Sequence, residues 1–114
     1  MKLYRYLLIT CLLSVCLVSV GQEVKLIPFE SNGLWGFMNE TKDKIVILPE
    51  FNGAGEFSSG LCPVKIGDKW GMINTLGEII IKPEFDEIKK YEGQDGWFQV
   101  NKGGKWRLID PGRW

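Results

Sequence analysis

Histidine is absent from the 114-residue chain. Because histidine is the commonest general base and metal ligand near neutral pH, its absence excludes Ser-His-Asp and Cys-His catalysis. Cysteine is scarce, and two of the three cysteines, Cys11 and Cys16, fall in an apolar run near the N-terminus. If that run is removed, Cys62 stands alone, which excludes an internal disulfide and an ordinary structural zinc site. We therefore expect no catalytic residue, no metal and no cofactor, and a core position for Cys62.

An excess of one charge is also lacking, since Lys+Arg and Asp+Glu each number 14. A nucleic-acid-binding surface needs a basic patch or stripe, so we predict no nucleic-acid partner. Lys2 and Arg5 are the charged residues that precede Glu23, and their removal with residues 1–21 would leave a weakly acidic chain.

Residues 1–21 have the composition of a secretory signal peptide. Two basic residues precede an apolar run from Tyr6 to Val18, and the small residues Ser19 and Gly21 stand directly before a predicted cut at Gln22. The run is shorter than the roughly 20 residues that span a bilayer. We therefore predict a helical signal peptide over 1–21 and a secreted or periplasmic mature chain, 22–114, that has no membrane span.

Two alternatives to cleavage stay open for this leader. It could remain attached as a membrane anchor, or Cys16 could be acylated as in a lipoprotein. Val15, which precedes that cysteine, is larger than the small residue expected there, and the apolar run continues beyond it.

The remainder of the chain consists of copies of one stretch, Leu61–Phe85. Leu26–Asn39 matches the beginning of that stretch 35 residues earlier, and Val100–Asp110 matches part of it 36 residues later. Two Pro-Glu-Phe triplets lie 34 residues apart, and they contain Pro49, Phe51, Pro83 and Phe85. Self-similarity at such a period is the sequence sign of a repeat architecture.

These copies resemble the bacterial WG-repeat family, named for a Trp-Gly pair that occurs here as Trp35-Gly36 and Trp70-Gly71. The resemblance covers residues 26–110. It implies an all-β repeat protein, often exported, and it carries over no enzymatic activity to particular residues.

The third copy departs from the family pattern. Trp106 is followed by Arg107 where the other copies have glycine, and no third Pro-x-Phe follows. We therefore predict a domain of two full repeats and a partial third over residues 22–114.

Within each copy, short runs of Val, Ile, Phe and Trp bounded by Gly, Asn and Asp indicate strands. Pairs that tolerate positive φ in two-residue hairpin turns stand at one repeat position, as Asn32-Gly33, Gly67-Asp68 and Gly103-Gly104. The fold class predicted is all-β, with tandem antiparallel hairpins in repeats of about 35 residues. The predicted hairpins are Leu26–Ser31 with Leu34–Asn39, Leu61–Ile66 with Lys69–Asn74, and Trp97–Lys102 with Lys105–Asp110.

A second turn, opened by Asn39 or Asn74, should lead to a third strand in each full repeat. We predict these strands at Ile45–Leu48 and Glu78–Lys82. We expect Pro49 and Pro83 to end them, because proline donates no ladder hydrogen bond. The apolar run 79–81 predicts burial on both faces of the second.

Successive side chains of a strand point to opposite faces of the sheet, so the matching positions Trp35, Trp70 and Trp106 should lie on the same face in each repeat. We predict that they form a ladder in which each ring buries a large apolar area. Gly36 and Gly71 would then permit close approach of a neighbouring backbone or a bulge beside the ring. Arg107 either extends its charge to solvent or marks a capping repeat against which no neighbour packs.

Two sets of carboxylates are candidate chemical sites. Glu50 and Glu84 occupy matching repeat positions, and a glycosidase needs two carboxylates about 5 to 10 Å apart. However, a repeat tends to equalise their environments, which favours exposed strand-end glutamates over a catalytic pair. Glu84, Asp86 and Glu87 could together hold Ca²⁺, but their spacing resembles no calcium-binding loop.

Aromatic residues in the least regular segment are the candidate binding residues, as large aromatics anchor protein partners or stack on sugars. They are Tyr91, Trp97, Phe98 and Trp114. The alternative is that Trp97 covers the end of the stack as core. The function predicted is a non-enzymatic binding module for an envelope protein or glycan. The alternatives are a structural or capping fragment that assembles with other repeat chains, including itself, and a glycan hydrolase.

Overall fold

The structure, a computed structural model, describes residues 25–113. The predicted signal peptide and Trp114 lie outside the described residues. The all-β prediction is confirmed: the described chain forms ten strands and one short 3-10 helix. The elements are β1 (Leu26–Ser31), β2 (Leu34–Asn39), β3 (Ile45–Phe51), β4 (Gly53–Ala54), β5 (Leu61–Ile66), β6 (Lys69–Asn74), β7 (Ile79–Phe85), β8 (Glu87–Lys90), β9 (Phe98–Lys102), β10 (Lys105–Ile109) and the 3-10 helix Pro111–Arg113.

The strands form three antiparallel sheets. Sheet 1 has the order β1-β2-β3, sheet 2 the order β4-β5-β6-β7, and sheet 3 the order β10-β9-β8. The chain passes from sheet 1 to sheet 2 between Phe51 and Gly53, and from sheet 2 to sheet 3 between Phe85 and Glu87. Each full repeat therefore supplies a hairpin and a third strand, and then begins the next sheet.

The predicted hairpins are confirmed, with the third one residue shorter at its outer ends. Their turns need left-handed backbone: Asn32 and Gly33 have φ of 53° and 83°, and Gly103 and Gly104 have 62° and 86°. In the turn of sheet 2, Gly67 has φ of 65° and Asp68 has no positive φ. Positive φ at the first central residue or at both matches the twist of the flanking strands, and these residue pairs supply it.

The predicted second turn is also present. The Asn74 side-chain oxygen accepts hydrogen bonds from the N–H groups of Leu76 (3.0 Å) and Glu78 (2.9 Å). Gly77 takes the left-handed conformation with φ 83°, and Lys42 takes the same role in the first copy with φ 63°. An asparagine that bonds to the backbone ahead of it thus fixes the start of each third strand.

The prediction that Pro49 and Pro83 end the third strands is wrong. β3 and β7 continue through these prolines to Phe51 and Phe85. Both are the outer strands of their sheets. One edge of each is unpaired within its sheet, so a proline can lie in the strand without removing a ladder hydrogen bond.

The prediction of burial on both faces of β7 is also wrong. Ile81 is buried, whereas Ile79 and Ile80 are 54% and 39% exposed. The reason is a register shift between β6 and β7. Ile81 pairs with Met72, which packs with residues of sheet 3, whereas Ile79 pairs with Ile73, which points to the opposite face. Sheet 3 therefore covers Ile81 and leaves Ile79 and Ile80 partly exposed on the outer strand.

Two hydrophobic cores lie between successive sheets, and sheet 2 contributes to both. The buried residues of the first core are Leu26, Phe37, Ile47 and Phe51 from sheet 1, with Cys62, Val64 and Ile73 from sheet 2. Those of the second core are Met72 and Ile81 from sheet 2, with Ile88, Phe98 and Val100 from sheet 3. Stacking of successive sheets therefore buries the apolar surface that one repeat could not bury alone.

Candidate functional site

Each sheet has a front face, which points toward the sheet that follows it in the chain, and a back face, which points toward the sheet before it. Three front-face positions recur in all three sheets by alternation and strand register. They are Leu26, Trp35 and Phe37 in sheet 1, Leu61, Trp70 and Met72 in sheet 2, and Trp97, Trp106 and Leu108 in sheet 3.

The burial of these positions changes at sheet 3. Phe37 and Met72 have no exposed surface, but Leu108 at the same position is 47% exposed. Trp35 and Trp70 pack against the two cores, whereas Trp106 is 44% exposed. Within residues 25–113 no sheet follows sheet 3, so its front face is uncovered. The expected burial of a Trp ladder is therefore wrong for Trp106.

Arg107 shows the same break in the repeat. A Cβ added to Gly36 would lie 2.5 Å from the Ile47 carbonyl oxygen, and one added to Gly71 would lie 2.8 Å from the Pro83 nitrogen. The third strand therefore approaches the glycine backbone too closely for any side chain, as predicted. In the described structure β10 has no third strand beside it, which leaves room for Arg107.

The exposed Trp106 ring has a cation beside it. The Lys89 ammonium nitrogen lies 4.8 Å from the ring centroid, a geometry typical of cation–π attraction. The same nitrogen is 3.9 Å from a Glu87 carboxylate oxygen. The front face of sheet 3 therefore combines two tryptophans and a leucine with charged side chains around them.

The structure describes three of the four predicted binding residues, and they differ in their environments. Trp97 is half-buried and precedes β9, so alternation places it on the front face. Tyr91 is half-buried, and its N–H donates to the Trp97 carbonyl oxygen at 3.0 Å. Phe98 is 1% exposed in the second core and is therefore not available for binding, which corrects its assignment. Trp114 lies outside the described residues.

Glu50 and Glu84, the candidate catalytic pair, are both exposed. Glu84 lies 3.4 Å from the Lys102 ammonium, and Glu50 is exposed at the matching position of β3. In the part of the chain that the structure describes, no three His, Cys, Asp or Glu side chains are grouped so that they could hold a metal ion.

Asp86 connects sheet 2 to the hairpin of sheet 3. Its carboxylate pairs with Lys69 at 2.5 Å and accepts the Gly103 N–H at 2.9 Å. The hydrogen bond from Lys69 and that from Gly103 lower the pKa of the Asp86 carboxyl below its usual value. Asn52 occupies the matching position between sheets 1 and 2 and accepts the Gly67 N–H at 2.7 Å. The shared bond is therefore a structural link between repeats, and charge is not needed for it.

Cys62 is a core residue, as predicted. It has no exposed surface, its thiol donates to the Pro63 carbonyl oxygen at 3.3 Å, and burial raises its pKa to about 12. Reactive cysteines instead have lowered pKa values and accessible sulfur atoms.

These features define the class of protein: an array of stacked antiparallel sheets, one sheet per repeat. The sequence model described as "WG containing repeat" matches residues 35–70 and again 70–106. The chain belongs to the WG-containing repeat family. The same comparisons found no match among curated proteins and none among solved structures. Over the described residues, no helix has the length and apolarity needed to cross a membrane.

Proposed function

We propose that this protein is an exported module that acts by binding, and that the front face of sheet 3 is its binding surface. The observation that carries the proposal is the exposure of Trp106 (44%) and Leu108 (47%) at repeat positions that the following sheet covers in sheets 1 and 2. Contiguous exposed apolar groups with a polar rim are typical of interaction sites.

The chemistry of this face suits an interface. Tryptophan is enriched among the residues that contribute most to binding, because a large ring loses water contact at small entropic cost. Trp106 and Trp97 supply two such rings, and Lys89 supplies a positive charge beside Trp106. The partner classes that fit are an envelope protein, or a glycan whose sugar rings stack on the tryptophans.

Export is supported by the predicted signal peptide over residues 1–21, and it would place the mature protein in the periplasm or outside the cell. Assembly with other repeat chains is the second candidate function, because the exposed positions are those that a further repeat covers. A glycan hydrolase that uses Glu50 and Glu84 has less support, since Glu84 pairs with Lys102. Loss of turnover in a Glu84→Gln variant would be needed to establish it.

Affinity capture from a native envelope extract tests the proposal. The bait is the protein expressed from its full-length sequence, compared with Leu108→Ser on the front face. Leu76→Ser is the matched control, because Leu76 is 79% exposed in the turn before β7, away from that face. We expect Leu108→Ser to lose the retained protein or glycan and Leu76→Ser to keep it. Equal retention by both variants would contradict a role for the front face.

A further inference from the structure

We propose that a second copy of this chain docks on the front face of sheet 3 through the back face of its own sheet 1. This inference rests on the proposed function, since it names the partner of the same face. It describes a head-to-tail contact, in which the end of one stack continues into the beginning of another.

The back faces of the sheets carry a second recurring set of three apolar positions. They are Cys62, Val64 and Ile73 in sheet 2, Phe98, Val100 and Ile109 in sheet 3, and Ile27, Phe29 and Met38 in sheet 1. In sheets 2 and 3 these positions pack into the core shared with the preceding sheet. Sheet 1 keeps the set apolar and half-buried, although none of the sheets in residues 25–113 precedes it.

The two internal junctions show how such faces fit. In the first core the large front-face Phe37 accompanies the small back-face Cys62. In the second core the slimmer Met72 accompanies the large Phe98. The sizes at these two positions vary inversely between the two cores, as close packing requires of residues that share a limited volume. Leu108 and Ile27 stand at the same two positions in the proposed contact, and both are of intermediate size.

Lys89 on the front face of sheet 3 occupies a position where the internal junction is open. It matches Gly55 of sheet 2, which lines a cleft of about 340 Å³ between sheets 2 and 3. The Lys89 side chain would therefore face such a cleft in the docked pair. Gln99 matches Pro63, which is buried but lines the same cleft, so the Gln99 amide would lie at the border of the cleft. The three front-face positions that pack against the internal cores remain apolar in sheet 3.

Arg107 favours docking of the second copy on the front face of sheet 3 over strand pairing along β10, the outer strand of that sheet. A third strand that paired with β10 as β7 pairs with β6 would bring its backbone against the Cβ of Arg107, as the close contacts at Gly71 show. Stacking of a second copy on the front face needs no such approach. Because front and back faces differ, the contact is heterologous and leads to a ring or an open chain.

The proposed contact is weaker than an internal junction. The front face of sheet 3 lacks the third strand that supplies Ile47 and Phe51, or Ile81 and Phe85, to the internal cores. The two copies also lack the covalent link between successive sheets, so association costs translational and rotational freedom. Assembly should therefore depend on protein concentration.

Sedimentation equilibrium of the protein expressed from its full-length sequence tests the proposal. The mass of the unmodified protein should rise with concentration. Leu108→Lys, which blocks the front face, and Met38→Lys, which blocks the back face, should each remain monomeric when alone. Their mixture should form one-to-one dimers, because each variant keeps the face that the other lacks. Assembly by either variant alone, or a mixture that stays monomeric, would overturn the head-to-tail contact.

A disulfide test covers the case in which Met38→Lys fails to fold. Leu108→Cys and Ile27→Cys variants, each also carrying Cys11→Ser and Cys16→Ser, are mixed under oxidising conditions, with buried Cys62 expected to stay unreactive. Mixed disulfide dimers should form faster than dimers of either variant with itself, and equal rates would overturn the proposal.

The two tests also separate this inference from the proposed function. A protein that is monomeric at all concentrations, yet binds an envelope component through Leu108, would overturn self-docking and leave the binding function standing. Assembly that Leu108→Lys does not reduce, together with no Leu108-dependent capture, would overturn both.

Discussion

Replacing Gly71 by alanine tests the close approach of β6 and β7. The added Cβ would lie 2.8 Å from the Pro83 nitrogen and 3.0 Å from the Lys82 carbonyl carbon, and it would contact the Ile81 carbonyl oxygen still more closely. All three atoms belong to backbone, so no side chain can rotate to relieve the contact. The outer strand must shift, and that shift would pull Ile81 and Phe85 away from the second core.

Overpacking of this kind costs typically 1–3 kcal/mol, and we expect about 3 kcal/mol here because the clashing atoms are backbone. For a domain of this size, that loss lowers the melting temperature by roughly 12–24 °C, at about 4–8 °C per kcal/mol. Thermal unfolding followed by circular dichroism, together with urea unfolding, measures the change.

Arg107→Ala is the matched control, because Arg107 occupies the position of Gly71 in a sheet that has no third strand in the described structure. Its effect should stay within about 0.5 kcal/mol, as for other surface substitutions. If Gly71→Ala melts at the same temperature as the unmodified protein, the close approach of β7 is refuted.

Three further predictions concern the turns, the links between repeats and the core. Gly104→Val should destabilise by about 1–2 kcal/mol in urea unfolding, since φ is 86° and no neighbour lies within 4 Å, so the cost is backbone strain alone. Asp86→Asn should keep the Gly103 bond, as Asn52 does with Gly67, but lose the carboxylate. Because the pKa of Asp86 is lowered in the folded state, its ionised carboxylate stabilises the fold at pH values above the unfolded pKa of about 3.9. This stabilisation is lost as the pH falls below that value. The free energies of unfolding of the variant and the unmodified protein should therefore converge below about pH 4. Cys62 should resist a thiol reagent at pH 8 until the chain unfolds, and rapid labelling of folded protein would contradict its burial.

The hairpins and turns could be predicted from the sequence because their determinants are local. Residue pairs such as Asn32-Gly33 need a left-handed backbone wherever they lie, and the Asn74 side chain bonds within its own turn. Because the copies align, a strand or turn that is correctly predicted in one copy predicts the same element in the others. The roles of Gly71 and Arg107 followed from the same comparison of copies.

The burial of side chains at the ends of the array could not be predicted from the sequence of one repeat, because it depends on whether another sheet covers each face. The run 79–81 is apolar throughout, but a neighbouring sheet covers one of its faces. The assignment of Phe98 as a binding residue overlooked a usable signal, since Phe98 stands at the repeat position of Cys62, which was already predicted to be core. The contact between Lys89 and Trp106 joins strands that no local pattern pairs.

Hydroxyl-radical footprinting of the folded protein tests the central claim most directly, namely that front-face positions are covered in sheets 1 and 2 and open in sheet 3. Labelling is normalised to that of the unfolded chain at each residue. In dilute protein, Trp106 and Leu108 should be modified readily, whereas Phe37 and Met72 should be protected. If Trp106 and Leu108 are as protected as Met72 in dilute protein, the front face of sheet 3 is not uncovered and the central claim is contradicted. If Met72 is readily oxidised, the stacking of sheet 3 on sheet 2 is contradicted.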